Sequence, residues 1–227
     1  MIGVKIGVKV IGDFISGLDL SSPVLSFSDD AVNTTLFVRN VFNARAGLIV
    51  LVDAVEYTVV SVDYEANSLV VMGVIIAPVL YEVPAPFYFH GTFLKTNGEL
   101  NEILSIDSKV PMCYLHEVMR ERLYPLTSGL ERTCEVKLFL MDKAPQNGAT
   151  TAEQYDDIIT PLSNLAEAIR QQLYTSPKFT DWGVITQVNE IEWGTYTDSK
   201  GHMKRFFDAQ LTGIGLFFDM NILKCCN

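Results

Sequence analysis

The sequence predicts an α+β fold: a β-rich, barrel-like or sandwich-like N-terminal region, followed by an α+β unit with a mainly antiparallel sheet and one long helix. Three observations predict it. Short apolar runs with strand-like patterns fill residues 1–80. Residues 131–141 alternate between apolar and polar, and residues 152–174 then change to the three- and four-residue spacing of a helix. Extended patterns return over residues 186–193 and 206–222, which predicts two further strands.

Residues 1–10 alternate so that apolar side chains fall on one face and glycines and lysines on the other. The apolar members are Ile2, Val4, Ile6, Val8 and Val10. This pattern predicts a strand at a sheet edge or at a contact between subunits, since lysines commonly protect edge strands from pairing with another chain.

Several short strands are predicted after this segment. They are expected over residues 35–38, 48–52, 56–62 and 68–76. Asp53-Ala54 and Ala66-Asn67 stand between them where tight turns are needed. Closely spaced short strands rich in Val, Ile and Tyr favour a small barrel or a sandwich.

Pro78, Pro84 and Pro86 interrupt regular structure and indicate a domain boundary after the β-rich region. The expected division is residues 1–83 for the β-rich region, residues 84–130 for a connecting segment with short helices, and residues 131–227 for the α+β unit. The short helices are expected over residues 97–107 and 113–122.

The long helix is predicted over residues 152–174, with a capping box formed by Thr150 and Glu153 at its start. Its apolar stripe consists of Tyr155, Ile158, Ile159, Leu162, Leu165, Ala166, Ile169 and Leu173. Pro161 lies within the predicted helix, and a proline inside a helix costs about 3 kcal/mol. Either the helix kinks there or Thr160 caps a second helix, and the unbroken stripe favours a kink.

Composition excludes some functions. The chain has 227 residues, 48% of them hydrophobic, and a formal net charge of −10. A protein that grips nucleic acid through phosphates needs clustered Lys and Arg, and the sequence has no basic run. The acidity would suit a wall past which DNA slides, and solubility explains it equally well.

Four cysteines show no metal-binding or disulfide spacing, which predicts a reducing cytosol. They are Cys113, Cys134, Cys225 and Cys226. The N-terminus has no signal-peptide pattern, and the most apolar stretch, residues 69–80, is too short to span a bilayer. We therefore expect a soluble protein without a membrane partner.

Residues that could carry catalysis are sparse. His90, His116 and His202 lack neighbours at metal-ligand spacing, and no nucleophile motif is present. Asp29-Asp30 fits a turn before a strand, and Asp156-Asp157 fits the start of a helix, where the dipole favours negative charge. The sequence therefore predicts a protein that is not an enzyme and has no catalytic site, metal or cofactor.

An aromatic cluster stands among the prolines, formed by Tyr81, Phe87, Tyr88 and Phe89. Exposed rings of this kind would form a docking surface or a platform for sugars. Packing between two domains is the more ordinary use of such rings, and we favour it.

Several short motifs along the chain form a pattern. In the first half they are His90-Gly91-Thr92, Asn97-Gly98-Glu99-Leu100 and Pro111-Met112-Cys113-Tyr114-Leu115. In the second half they are Leu138-Phe139-Leu140, Tyr155, Ile158, Pro161-Leu162, Ala166, Gly194-Thr195-Tyr196, Lys200-Gly201 and Leu211-Thr212-Gly213-Ile214. This pattern resembles that of structural proteins of tailed phages that infect Bacteroidetes, the crAss-like phages. The resemblance covers residues 35–222 and points to neck components, either connector rings below the portal or tail-terminator-like proteins.

The resemblance implies a mechanical function, in which copies assemble head-to-tail into a closed ring between portal and tail. Its partners would be further copies and the neighbouring portal, neck and tail proteins, with DNA passing through the lumen without sequence-specific binding. The protein would be made in the host cytoplasm and reside in the virion neck. Subunits would join through sheet edges, at residues 1–10 or at the C-terminal strand, while the loop of residues 143–151 reaches neighbouring rings. The candidate interface residues are Val4, Ile6, Val8, Phe87, Tyr88, Phe89, Leu216 and Phe218.

Two further hypotheses remain open. Within the same class, the protein would be a tail terminator or tail-completion protein. In another class, it would be a monomeric β-rich carbohydrate-binding module that uses the aromatics between Tyr81 and Phe89. An enzyme would become plausible if His90, His116 and the aspartate pairs gathered in one pocket.

Overall fold

The predicted α+β class is confirmed. The computed structural model describes residues 2–92, 110–116, 121–123, 131–144, 150–180, 183–193, 195–197, 199–205 and 211–223. In these residues a closed barrel of six strands stands beside a second sheet of seven strands, with a helix at the N-terminus and a longer helix in the second half.

Helix α1 spans Ile2–Ser16, so the strand predicted over residues 1–10 is wrong. Val8, Ile11 and Ile15 are buried at the three- and four-residue spacing of a helix, and burial of this face stabilises a helix rather than a strand. The sequence also alternates as a strand would, and the contacts that favour the helix come from segments distant in sequence. Tyr88 donates a hydrogen bond to the Val8 carbonyl at 3.2 Å, and Phe14 meets Phe179 edge to face.

The barrel is built from strands β1 to β6. Their bounds are β1 Ser21–Asp29, β2 Asn33–Val38, β3 Ile49–Val52, β4 Val55–Asp63, β5 Ser68–Met72 and β6 Leu80–Glu82. The order β1-β2-β5-β4-β3-β6 closes because β6 pairs with β1, and all pairs are antiparallel. The predicted short strands are confirmed, whereas β1 was not predicted and the strand expected over residues 68–76 ends at Met72.

The predicted turns are confirmed by their backbone angles. Asp53, Ala54 and Asn67 have φ values of 50°, 66° and 49°. Positive φ is the conformation that tight hairpin turns require, and Asn and Asp tolerate it better than most residues.

The second sheet contains seven strands and is mainly antiparallel, as predicted. They are β7 Phe87–Gly91, β8 Met112–His116, β9 Glu121–Leu123, β10 Glu131–Lys143, β11 Phe179–Thr180, β12 Thr186–Trp193 and β15 Leu211–Leu223. Their main order is β11-β15-β10-β8-β7, with β12 also on β15 and β9 on β10; only β7 and β8 pair in parallel. Strands β13 Thr195–Thr197 and β14 Met203–Arg205 form a separate antiparallel hairpin.

The short helix predicted over residues 113–122 is wrong in its described parts, which belong to β8 and β9. Strand β8 lies between β7 and β10 and is buried on both faces, so its sequence lacks the alternation that would have identified a strand. The other short helix, expected over residues 97–107, lies outside the described residues, as does most of the loop of residues 143–151.

Helix α2 confirms the predicted long helix. It has three consecutive segments: α-helical Thr151–Gln154, π-helical Tyr155–Ile159 and α-helical Thr160–Thr175. The capping box is present, since Glu153 accepts from the Thr150 backbone at 2.7 Å and Thr150 Oγ1 accepts from the Glu153 backbone at 3.3 Å. The helix continues through Pro161, which lies in the first turn of the last α-helical segment, directly after the π-helical turn. The predicted kink stays a prediction.

One continuous core joins α1, the barrel interior, α2 and one face of the second sheet. A smaller cluster covers the other face of that sheet, where Phe89, Tyr114 and Phe139 stack at centroid distances of 6.0 Å across three neighbouring strands. Among the described helices, neither has the combination of length and apolar character needed to cross a lipid bilayer.

Candidate interaction surfaces

The residues considered for catalysis are not brought together. His90 and His116 lie on the neighbouring strands β7 and β8, and the Tyr114 hydroxyl is 3.2 Å from His116 Nδ1. Burial, and secondarily Lys137, lowers the pKa of His116. Within the described ranges, no three His, Cys, Asp or Glu side chains come close enough to hold a metal ion.

The two aspartate pairs lie on different elements. Asp29-Asp30 stands at the β1–β2 turn, where the Asp30 carboxylate accepts from the backbone of Val32 at 3.0 Å and of Asn33 at 2.7 Å. These backbone donors lower the pKa of Asp30. The predicted turn at Asp29-Asp30 is therefore confirmed. The other pair, Asp156-Asp157, lies in the π-helical turn of α2.

A cleft of about 440 Å³ opens between the barrel and α2. Its charged and hydroxyl-bearing lining consists of Arg45, Tyr64, Lys143, Asp156 and Asp157. Arg45 binds Asp142 through Nε at 2.8 Å and Nη2 at 3.0 Å. Burial raises the pKa of Asp142, and Arg45 opposes that shift. Arg45, on the lining of the cleft, thus joins the barrel to the sheet through an ion pair. The lining carries both positive and negative charges, so its charge does not indicate one class of ligand.

The described cysteines are buried and are not joined by a disulfide bond. Cys113 and Cys134 lie in the core of the second sheet, and burial raises the pKa of Cys113. A raised pKa keeps the thiol protonated and unreactive, which agrees with a packing role. Cys225 and Cys226 lie outside the described residues.

The aromatic cluster packs within the chain. Tyr81 is fully buried and donates to the Val41 carbonyl, and Phe89 is buried in the smaller cluster. Tyr88 is half-buried against α1, at the point where a Cβ added to Gly12 would approach its ring to 2.8 Å. Phe87 is left as the exposed ring of the four.

The candidate interface residues are mostly covered within one chain. Val8, Phe89, Leu216 and Phe218 are all buried. Val4 and Ile6 belong to a helix, so the expected strand-edge contact at residues 1–10 does not exist. The other expected edge is absent too, because β15 pairs with β10 on one side and with β11 and β12 on the other.

Strand β12 provides a sheet edge that the sequence analysis did not identify. Among the described strands it pairs with β15 alone. Thr186, Gln187, Val188 and Asn189 are exposed, and the pairing with β15 is regular from Thr186 to Glu190. We call Thr186–Glu190 the β12 edge. The sequence correctly predicted a strand over residues 186–193. Whether that strand lies at the edge of the sheet depends on the order of the strands, which the local pattern does not give.

A second uncovered surface lies at one end of the barrel. Antiparallel pairing brings the β1–β2 turn, the β3–β4 turn and the β5–β6 loop to the same end, opposite Arg45 and the second sheet. Large apolar side chains are exposed there: Val32, Val55, Met72, Val74, Ile76, Val79 and Leu80. We call these seven residues the barrel end. The sequence analysis missed them because three separate segments contribute.

No family model, no curated protein and no solved structure matches this chain. The two uncovered surfaces, the β12 edge and the barrel end, are therefore the features on which a functional interpretation rests.

Proposed function

We propose that the protein is a virion structural component that forms a multi-copy ring in the neck of a tailed phage, between portal and tail and around the DNA channel. The observation that carries this proposal is the β12 edge. It is a regular strand segment whose second side is open among the described residues.

An open strand edge favours self-assembly for a physical reason. Alternate N–H and C=O groups along such an edge point away from the sheet and can pair with a strand of another chain. Strand addition of this kind is a common mode of association. The segment Thr186–Glu190 contains no Lys and no Pro, the residues that most often prevent such pairing.

The geometry of the edge also suits a ring. In a ring, the β12 edge of one copy would bind a different surface of the next copy. Such head-to-tail contacts close into rings when the rotation between copies allows it. The net charge of −10 agrees with a lumen that repels DNA and lets it pass.

The alternatives differ in what supports them. A tail terminator would use the same edge, and the position of the ring in the particle distinguishes it from a connector. The carbohydrate-binding hypothesis required exposed aromatic faces, and it loses its support because Tyr81 and Phe89 are buried.

Cryo-electron microscopy of the intact particles that contain this chain tests the proposal. We expect the chain to trace as a closed ring between portal and tail, with β12 at the contact between copies. A ring at the far side of the neck, on the tail tube, would favour the tail terminator. Absence of the chain from the particles would refute both.

A variant tests the contact itself. Val188→Lys places a charge on the β12 edge, and we expect it to abolish ring formation when native mass is measured for the purified chain or for reconstituted neck particles. Val60→Lys is the matched control, because Val60 is a similarly exposed strand valine on the barrel, and it should leave the mass unchanged. Equal behaviour of the two variants would contradict the assignment of the edge.

A further inference from the structure

We infer that the barrel end is a docking site for a second protein, different from this chain, that presents apolar side chains flanked by Lys or Arg. This inference goes beyond ring formation and does not depend on it, since it concerns another surface and another partner.

The apolar character of the barrel end is the first step. Single exposed apolar residues are ordinary on protein surfaces, but contiguous groups of them mark interaction sites. Here three separate segments converge to expose seven such side chains, with Ile76 at 90% and Val79 at 70% exposure. A surface of this kind is stabilised when a partner removes it from water.

The loops that carry these side chains are fixed in place, which is the second step. Thr34 Oγ1 donates to the Gly73 carbonyl and accepts from the Ile75 N–H, both at 2.9 Å. The Asp53 carboxylate accepts from Val79 at 3.1 Å and from Leu80 at 2.9 Å. Because the loops are already ordered, a partner that binds here does not have to supply the free energy of ordering them.

Charge determines the kind of partner. Asp29, Asp30, Asp53 and Glu56 lie at this end of the barrel, and the barrel's two basic residues, Arg39 and Arg45, lie at the opposite end. Among the described residues of the barrel, the apolar surface is therefore accompanied by negative charge and by no Lys or Arg. A partner with complementary charge carries basic residues around its apolar contact.

The same charges exclude other occupants. Two copies joined through this surface would bring like charges together, which costs free energy. Nucleic acid and anionic lipid surfaces are negative and would be repelled. Its seven apolar side chains are between 43% and 90% exposed, so they do not enclose a small molecule. The occupant that remains is a protein with an apolar and basic face.

Two synthetic amphipathic helical peptides test the inference on the full chain. They share one Leu/Phe face, which is flanked by Lys in one peptide and by Glu in the other, and binding is measured by fluorescence anisotropy. We expect the Lys peptide to bind at least about tenfold more tightly than the Glu peptide. Equal affinity, or no binding of the Lys peptide, would overturn the inference.

Variants locate the binding site. Ile76→Ser/Val79→Ser removes apolar surface and should weaken the Lys peptide at least about tenfold. Asp29→Lys/Glu56→Lys should narrow or reverse the preference between the peptides; neither side chain makes a described hydrogen bond or ion pair. The control Val60→Ser/Val184→Ser removes two exposed valines that lie outside both the barrel end and the β12 edge, and it should leave peptide binding unchanged. Thermal unfolding of each variant verifies that it folds.

Three outcomes would refute the site. In the first, the control variant weakens binding of the Lys peptide as much as the barrel-end variants do. In the second, the barrel-end variants leave binding of the Lys peptide unchanged. In the third, the protein binds duplex DNA or phosphatidylserine vesicles, and Ile76→Ser/Val79→Ser abolishes that binding. Ring formation by the same variants is read separately from native mass. Loss of peptide binding with an intact ring would support the barrel-end site as distinct from the β12 edge.

Discussion

Asn43 places a complete side-chain amide in the interior without a hydrogen bond to any described residue. It is 2% exposed, and neither its Nδ2 nor its Oδ1 is bonded within the described part of the chain. A buried polar group left in this way costs roughly 1–3 kcal/mol. Leucine has the same branching and the same number of side-chain heavy atoms, none of them polar, so it removes that penalty.

We therefore expect Asn43→Leu to raise the free energy of unfolding by about 1 kcal/mol, measured by urea denaturation. Asn40→Leu is the matched control and should lower the free energy of unfolding, because it removes the Oδ1 atom that accepts a hydrogen bond from the Phe42 backbone at 2.7 Å. Destabilisation by both variants would mean that a buried water satisfies Asn43.

His116 gives the stability a pH dependence of known sign. Burial lowers its folded-state pKa below the ordinary value of about 6.5. The unfolded chain therefore binds a proton first as the pH falls, and the contribution of His116 is present above pH 6.5 and lost as pH falls through the folded pKa.

Unfolding of the wild-type protein and of His116→Gln at pH 7.5 and pH 5.5 measures this effect. The stability advantage of the wild-type protein should be smaller at pH 5.5. An equal difference at both pH values would show that His116 titrates normally in the folded state.

At the scale of the element, patterns within a segment predicted its structure well. Elements whose structure depends on contacts with distant segments were not predicted. The capping box and apolar stripe of α2 lie within its own sequence, and the alternation of β10 reports one apolar and one polar face. Helix α1 was misassigned because Tyr88 and Phe179, which select it, are remote in sequence. Strand β8 was misassigned because strands on both sides bury it.

The candidate surfaces follow the same division. The sequence predicted β12 as a strand over its observed bounds, yet its position at a sheet edge is a property of the whole sheet. The barrel end is assembled from segments about 20 residues apart, and only barrel closure brings Val32, Val55 and Ile76 to one place. Local patterns therefore predict elements, whereas surfaces depend on topology.

Strand β15 passes close to the backbone of β10 at Gly213. A Cβ added at Gly213 would lie 2.0 Å from the Leu140 carbonyl oxygen, whereas one at Gly215 would lie 2.7 Å from the Phe217 ring of its own strand and 3.4 Å from the Phe139 ring of β10. The first contact is with backbone and cannot be relieved by a side-chain rotation.

We expect Gly213→Ala to lower the free energy of unfolding by about 3 kcal/mol, at the upper end for overpacked positions, as measured by thermal or urea denaturation. Gly183→Ala is the control, since its Cβ would be 3.7 Å from the nearest atom, an ordinary contact. A similar, small effect of both changes would contradict the close approach of β15 to β10.

At the scale of the molecule, the Arg45–Asp142 pair joins the barrel to the second sheet. Asp142 is 3% exposed, so its charge depends on Arg45 for compensation. Gln172 adds a second connection, donating to the Asp19 carbonyl at 2.6 Å and accepting from its N–H at 3.0 Å. The barrel is thereby held to β10, and the segment that leads from α1 into the barrel is held to α2.

Arg45→Met should lower the free energy of unfolding at pH 7 by about 2 kcal/mol, less than for a fully buried pair because Arg45 is partly exposed. The loss should shrink as pH falls, because the folded-state pKa of Asp142 is raised and protonation removes the uncompensated charge. The double variant Arg45→Met/Asp142→Asn should recover part of the stability. No recovery would mean that Arg45 acts through packing alone.

The chain enters and leaves the barrel at the same place. Ser21 pairs with Glu82, and the Val83 N–H donates to the Leu20 carbonyl at 3.1 Å. The whole of residues 21–82 therefore forms a loop with touching ends, inserted between α1 and β7. Recombination at these two points could delete the barrel or replace it with another while α1 and β7 keep their path. Such an exchange would change the partner bound at the barrel end and leave the β12 edge as it is.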